Sequence, residues 1–129
     1  MRVFYSLCLA LVLATPSAAA RVADRPNSNS AALQVALRAA NVYFGPVDGQ
    51  QGPQTTEALV AFQERAGLVP DGIAGPRTRR ALGRLGVPEL GARPLEPGAT
   101  GWDVAELQFQ LAWHGFPSGP FDGAYGGRL

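Results

Sequence analysis

Lysine is absent from this 129-residue chain, histidine occurs once, and the one cysteine, Cys8, lies close to the N-terminus. Each shortage excludes something. Met1-Arg2 is a short positive start, and Val3 to Ala14 is an uncharged, mostly apolar run around Cys8. Thr15-Pro16-Ser17 breaks that run, and Ala18-Ala19-Ala20 offers small residues for cleavage. This order is that of a secretory signal peptide, residues 1–20. The run is well short of the roughly 20 apolar residues that a membrane span needs. Cys8 lies inside it and not at its end, which argues against a lipid anchor there.

Cleavage after Ala20 leaves 109 residues without a thiol, hence no disulfide, no cysteine nucleophile and no thiolate metal ligand. His114 stands alone, whereas zinc sites use at least three protein ligands, so no metal or other cofactor is expected. Ser118 near His114 is too little for a nucleophilic triad. Ten arginines face ten acidic residues after Ala20, and that balance excludes the basic field of a general nucleic-acid binder. The expectation is a secreted, periplasmic or wall-associated monomer with no nucleic-acid partner and, after cleavage, no membrane attachment.

Residues 21–30 are polar and read as a linker. From Ala31 the spacing becomes helical: Leu33 and Leu37 share a face with Ala36 and Ala40 beside them, and Ser30 stands where an N-cap belongs. Val42 to Gly52 is rich in turn residues and leads into Gly52-Pro53. Proline suits the first helical position because its missing N–H has no partner there anyway. A second helix is expected from Pro53 to Ala66, with Leu59, Phe62 and Ala66 on its inner stripe and Gly67 as its stop. A third begins at Pro76, with Thr78, Ala81, Leu82 and Leu85 turned inward.

Two repeats organise the chain. Asp48-Gly49-Gln50-Gln51-Gly52-Pro53-Gln54-Thr55 matches Asp71-Gly72-Ile73-Ala74-Gly75-Pro76-Arg77-Thr78 at an offset of 23. Both helices are thus entered by one device, an Asp-Gly turn followed by Gly-Pro. A larger repeat follows the Pro/Gly-rich linker of residues 87–97. An offset of 74 carries Leu33-Gln34 onto Leu107-Gln108, Leu37 onto Leu111, Gly45-Pro46 onto Gly119-Pro120, Asp48-Gly49 onto Asp122-Gly123 and Gly52 onto Gly126. A fixed, gapless offset marks two units of one type. The second, residues 98–129, stops where the second helix of a unit would begin; a longer chain or an unfolded tail is expected.

In their order these motifs resemble the peptidoglycan-binding domain family of bacterial wall hydrolases. Its pattern is matched by Leu33-Gln34, Val47-Asp48-Gly49, Gly52 to Thr55, Phe62-Gln63, and Gly67-Leu68 through Thr78. Coverage is essentially complete from Ala31 to Leu85, within a repeat of residues 31–86, and partial from Trp102 to Gly126, where Gly127 and Leu129 replace the proline and threonine. The resemblance implies an all-α fold, a compact three-helix bundle with Asp-Gly turns followed by a truncated second copy. It also implies non-covalent attachment to peptidoglycan, through the glycan strand or the stem peptide.

Gln34 and Gln63 are expected to satisfy backbone groups of the Asp-Gly turns rather than to meet a ligand. Asp48 and Asp71 occupy equivalent turn positions, which explains them better than a carboxylate pair for glycoside hydrolysis. Trp102 and Trp113 are expected to pack. Tyr43 and Phe44 have Pro117 and Ser118 as counterparts, so the fold does not demand rings there, and stacking on a sugar is their candidate role. Arg77, Arg80 and Arg84 fall on one side of the third helix, and Arg77 and Arg80 are candidate partners for stem-peptide carboxylates. No catalytic residue is expected. The leading function is a wall-targeting module. The alternatives are the N-terminal targeting part of a longer wall hydrolase, and an interaction or spacer module with no wall affinity.

Overall fold

The structure, a computed structural model, describes residues 26–126. The expected signal peptide lies outside them. Among the described residues four helices follow one another: α1 (Ser28–Ala39), α2 (Pro53–Arg65), α3 (Pro76–Ala81) and α4 (Trp102–Trp113), with a 3-10 turn at Gly83–Gly86. Among the described residues there is no strand beyond the isolated Thr100–Ala124 bridge. None of these helices is long and apolar enough to cross a membrane.

Local chemistry sets the helix ends. The cap of α1 is Asn27, not Ser30: its side chain accepts from the Ser30 N–H at 2.7 Å, and Ser30 is buried in the first turn. Pro53 and Pro76 open α2 and α3 as expected. α3 is only six residues long, because Gly83 takes a positive φ of 71° and turns the chain into the 3-10 segment. Gly86 then lies so close to the Arg79 carbonyl that no side chain fits.

The inner faces mostly follow the expected periodicity. Leu33, Leu37, Leu59 and Phe62 are buried with Tyr43 and Ala58 in one core. Ala66 and Ala81 are exposed instead of inward-facing, since both sit where their helices are ending.

Residues 98–126 do not hang as a tail. α4 lies along α1, and Trp102 and Ala105 join the same core as Ala32, Val35 and Leu59. Alanines at 31, 32 and 105 let the two helices approach closely. Trp102 inserts its ring at the joint, with its indole Nε1–H donated to Asn29 Oδ1 at 3.2 Å. Arg79 covers that ring at 4.2 Å, a cation–π contact of the kind worth about 0.5–2 kcal/mol. Trp113 departs from expectation: at the last position of α4 it is 63 % exposed and stacks on Phe109.

The segment between the units is also tied down. Arg79 bonds Glu89 at 2.6 Å, Arg93 bonds the buried Asp103 at 2.8 Å, and the Leu90 N–H reaches Glu106 at 3.2 Å.

Candidate functional site

Three buried glutamines hold three Asp-Gly turns, and these turns shape the surface. The Gln34 Nε2 donates to Asp48 Oδ1 at 2.7 Å and to the Gln50 carbonyl at 2.9 Å, while its Oε1 accepts the Asp48 and Gly49 amides at 3.0 Å. Gln63 does the same for the second turn, bonding Asp71, the Ile73 carbonyl, Thr78 and the Gly72 amide. Gln108 repeats the arrangement on Asp122, the Ala124 carbonyl and the Gly123 amide. Each aspartate also accepts the amide two residues on, at 2.9 Å. That is an Asx-turn, and it occupies the carboxylates in structure. Asp71 is held below the usual carboxylate range by the Ile73 N–H first and by Gln63 second.

The second turn and α3 border an open groove of about 510 Å³. Arg77 and Arg80 line it from the helix, with Leu68, Val69 and Ile73 from the turn. Val69 and Ile73 are 74 % and 65 % exposed. Both guanidiniums are exposed, and Arg80 Nε makes one bond, to the Pro76 carbonyl at 3.2 Å. Two cations beside two apolar side chains suit a ligand with a carboxylate on a short aliphatic backbone.

The other candidate residues fare differently. Tyr43 is 2 % exposed: its hydroxyl donates to the Pro46 carbonyl at 2.7 Å and its ring lies in the core. Its ring therefore has no face for a sugar, which corrects its expected role. Phe44 next to it is 82 % exposed, but it does not line the groove with the arginines. Arg84 lies beyond the end of α3, in the 3-10 turn, and does not line the groove with Arg77 and Arg80. Sequence reasoning gave no role to Gln108, although its offset from Gln34 announced one, and it missed Val69 and Ile73, whose exposure no spacing rule reveals. Among the described residues no group of three His, Cys, Asp or Glu is placed to hold a metal.

With this geometry established, comparison with known proteins is informative. Residues 26–82 match the family described as "Putative peptidoglycan binding domain". A 52-residue stretch is 48 % identical to N-acetylmuramoyl-L-alanine amidase CwlM of Mycobacterium tuberculosis, covering 40 % of this chain and 13 % of that protein. Another of 35 residues is 49 % identical to a probable N-acetylmuramoyl-L-alanine amidase of Bacillus licheniformis, covering 27 % of this chain and 10 % of that one. An uncharacterised protein of Kitasatospora aureofaciens is 52 % identical over 48 residues, or 36 % of this chain and 41 % of its own length. The chain thus spans less than half of each of these relatives. What it shares with the two amidases is a small part of them, matching a family described by binding and not by catalysis. No solved structure matches significantly.

Proposed function

We propose that this protein targets bacterial wall by binding peptidoglycan non-covalently, with the Arg77–Arg80 groove taking the carboxylates of stem peptides. The family of residues 26–82 supports the wall as partner. The observation that carries the site is the pairing of two exposed guanidiniums with exposed Val69 and Ile73 around one groove. Guanidinium–carboxylate bonds give orientation, and the aliphatic pair gives contact for the methyl groups of short peptides. Export through residues 1–20, followed by action as a monomer at the wall, completes the reading.

A second reading has a specific observation behind it. Two relatives named as amidases carry the matching segment as a minor part of their length. A targeting role inside a longer wall hydrolase is consistent with that.

The test of the site is sedimentation with insoluble peptidoglycan of the wild type and of Arg77→Ala/Arg80→Ala. The double variant should bind several-fold more weakly while melting like the wild type, and Phe44→Ala should bind normally. Unchanged binding by the double variant would place the site elsewhere.

A further inference from the structure

We propose that the open face of α4, built by Leu107, Leu111, Phe116 and Pro117, docks an amphipathic helix supplied by another protein. None of these four lines the Arg77–Arg80 groove, so this surface is separate from the one proposed for the wall. The offset of 74 makes them the counterparts of Leu33, Leu37, Val42 and Tyr43. In the first unit those positions are closed. Leu33, Leu37 and Tyr43 are buried in one core with Leu59 and Phe62 of α2, and Val42 packs against it. In the second unit the same positions are apolar but open. Leu107 and Leu111 are half-buried and stand outside the common core, Phe116 is 62 % exposed, and Pro117 is exposed. A contiguous apolar surface of this kind marks an interaction site.

The first unit defines what covers such a face. Its α2 contributes Leu59 and Phe62 to the core, and Thr55 in its first turn fixes the register. The Thr55 hydroxyl accepts from Gln34 Nε2 at 3.2 Å and donates to the Gln50 carbonyl at 3.3 Å. Thr78 at the start of α3 accepts from Gln63 Nε2 in the same way, at 3.1 Å. Gln108 has no such threonine among the described residues. Beside it lies a cavity of about 110 Å³ lined by Asp122 and Ala124, the counterparts of Asp48 and Gln50. A hydroxyl from the first turn of a docked helix fits there, against Gln108 Nε2 and the Ala124 carbonyl.

The source of the helix follows from the residues. Positions 126–129 read Gly-Gly-Arg-Leu where the first unit has Gly-Pro-Gln-Thr. They carry neither the proline that suits a first helical position nor the hydroxyl that meets the glutamine. A second copy cannot lend its α2, because Leu59 is fully buried in that copy's own core. The occupant is a helix of a different protein, with a hydroxyl residue in its first turn. Apolar residues stand four and seven positions further on, as Leu59 and Phe62 follow Thr55. The four docking positions hold no charge, so the contact rests on apolar burial, as when an amphipathic helix lies in a groove.

The probe is a labelled synthetic peptide with the sequence of residues 52–67, which carries that spacing, titrated into the purified protein. Fluorescence anisotropy follows binding, and the leucine methyl resonances locate it. The peptide should bind saturably and shift the Leu107 and Leu111 signals while those of Leu33 and Leu37 stay. Leu107→Ser/Leu111→Ser should weaken binding about tenfold or more. If that variant melts below the wild type, Phe116→Ser, at an exposed ring, should weaken binding several-fold and melt normally. Thr55→Val within the peptide should also weaken binding several-fold. No saturable binding, or equal binding by the leucine and Phe116 variants, would overturn the proposal. Shifts confined to Leu33 and Leu37 would also overturn it, since the peptide would then have exchanged with α2. Self-association of the protein that the two leucine changes abolish would do the same, since a second copy would then cover the face.

Discussion

Gln34 and Gln108, 74 positions apart, hold their Asp-Gly turns by the same three bonds, to an aspartate Oδ1, a turn carbonyl and a glycine amide. The backbone repeats as well: the Asn27 N–H bonds the Gly49 carbonyl at 2.8 Å, and the Gly101 N–H bonds the Gly123 carbonyl at 2.9 Å. The described part of the second unit, its helix and turn, packs on α1 through Trp102 and Ala105.

The glutamines should differ in weight. Gln34→Ala leaves the Asp48 and Gly49 amides, the latter buried, without their acceptor and empties a fully buried side-chain site, which should cost on the order of 3 kcal/mol. Gln108→Ala strands fewer groups and should cost roughly 1–2 kcal/mol. Urea unfolding measures both, and a larger loss for Gln108 would contradict the ranking.

Trp102 is the test of a shared core. Trp102→Ala should cost about 3–5 kcal/mol, as emptying a buried aromatic site usually does. In that variant Trp113 alone reports on the second unit by fluorescence, while circular dichroism follows all the helices. Their transitions should coincide at the lower stability. Separate transitions would mean that the units fold independently.

Within the first unit, Phe62→Ala should also cost about 3–5 kcal/mol, because the ring is 7 % exposed in the common core. A loss below about 1 kcal/mol would show the stripe to be misassigned.

Glu106 gives the pH dependence a sign. Burial between α1 and the linker raises its pKa above the ordinary value, against the opposing pull of the Leu90 N–H. The folded state thus disfavours the ionised form, and stability from this residue falls as pH rises through the folded pKa. Glu106→Gln should remove that fall, so the variant gains on the wild type as pH rises out of the ordinary glutamate range. Asp71 acts in the opposite direction. Its pKa is lowered, so its contribution is present above the unfolded value and is lost on acidification. A stability difference between Glu106→Gln and wild type that does not change with pH would contradict the assignment.

Much of this was legible in the sequence, for identifiable reasons. Pro53, Pro76 and the Asp-Gly pairs announce turns through backbone geometry, which is local and survives in any context. The structural role of Gln34 and Gln63 was legible because a glutamine beside a core leucine has few other partners. Tyr43 was misread: a tyrosine beside a turn carries no sign of whether its hydroxyl meets water or, as here, the Pro46 carbonyl. The Trp102 joint was out of reach for another reason. Which face of α1 meets α4 depends on a contact between residues more than seventy positions apart, and no periodicity encodes it. The groove at Arg77 and Arg80 was half visible, since helical spacing places the arginines, but the exposure of Val69 and Ile73 is a tertiary property.

Sedimentation of the purified chain from Arg21 to Leu129 with insoluble peptidoglycan tests the central claim most directly. The account predicts saturable co-sedimentation of the folded protein, weakened by Arg77→Ala/Arg80→Ala, with no soluble muropeptides released. A folded, helical sample left wholly in the supernatant would contradict it.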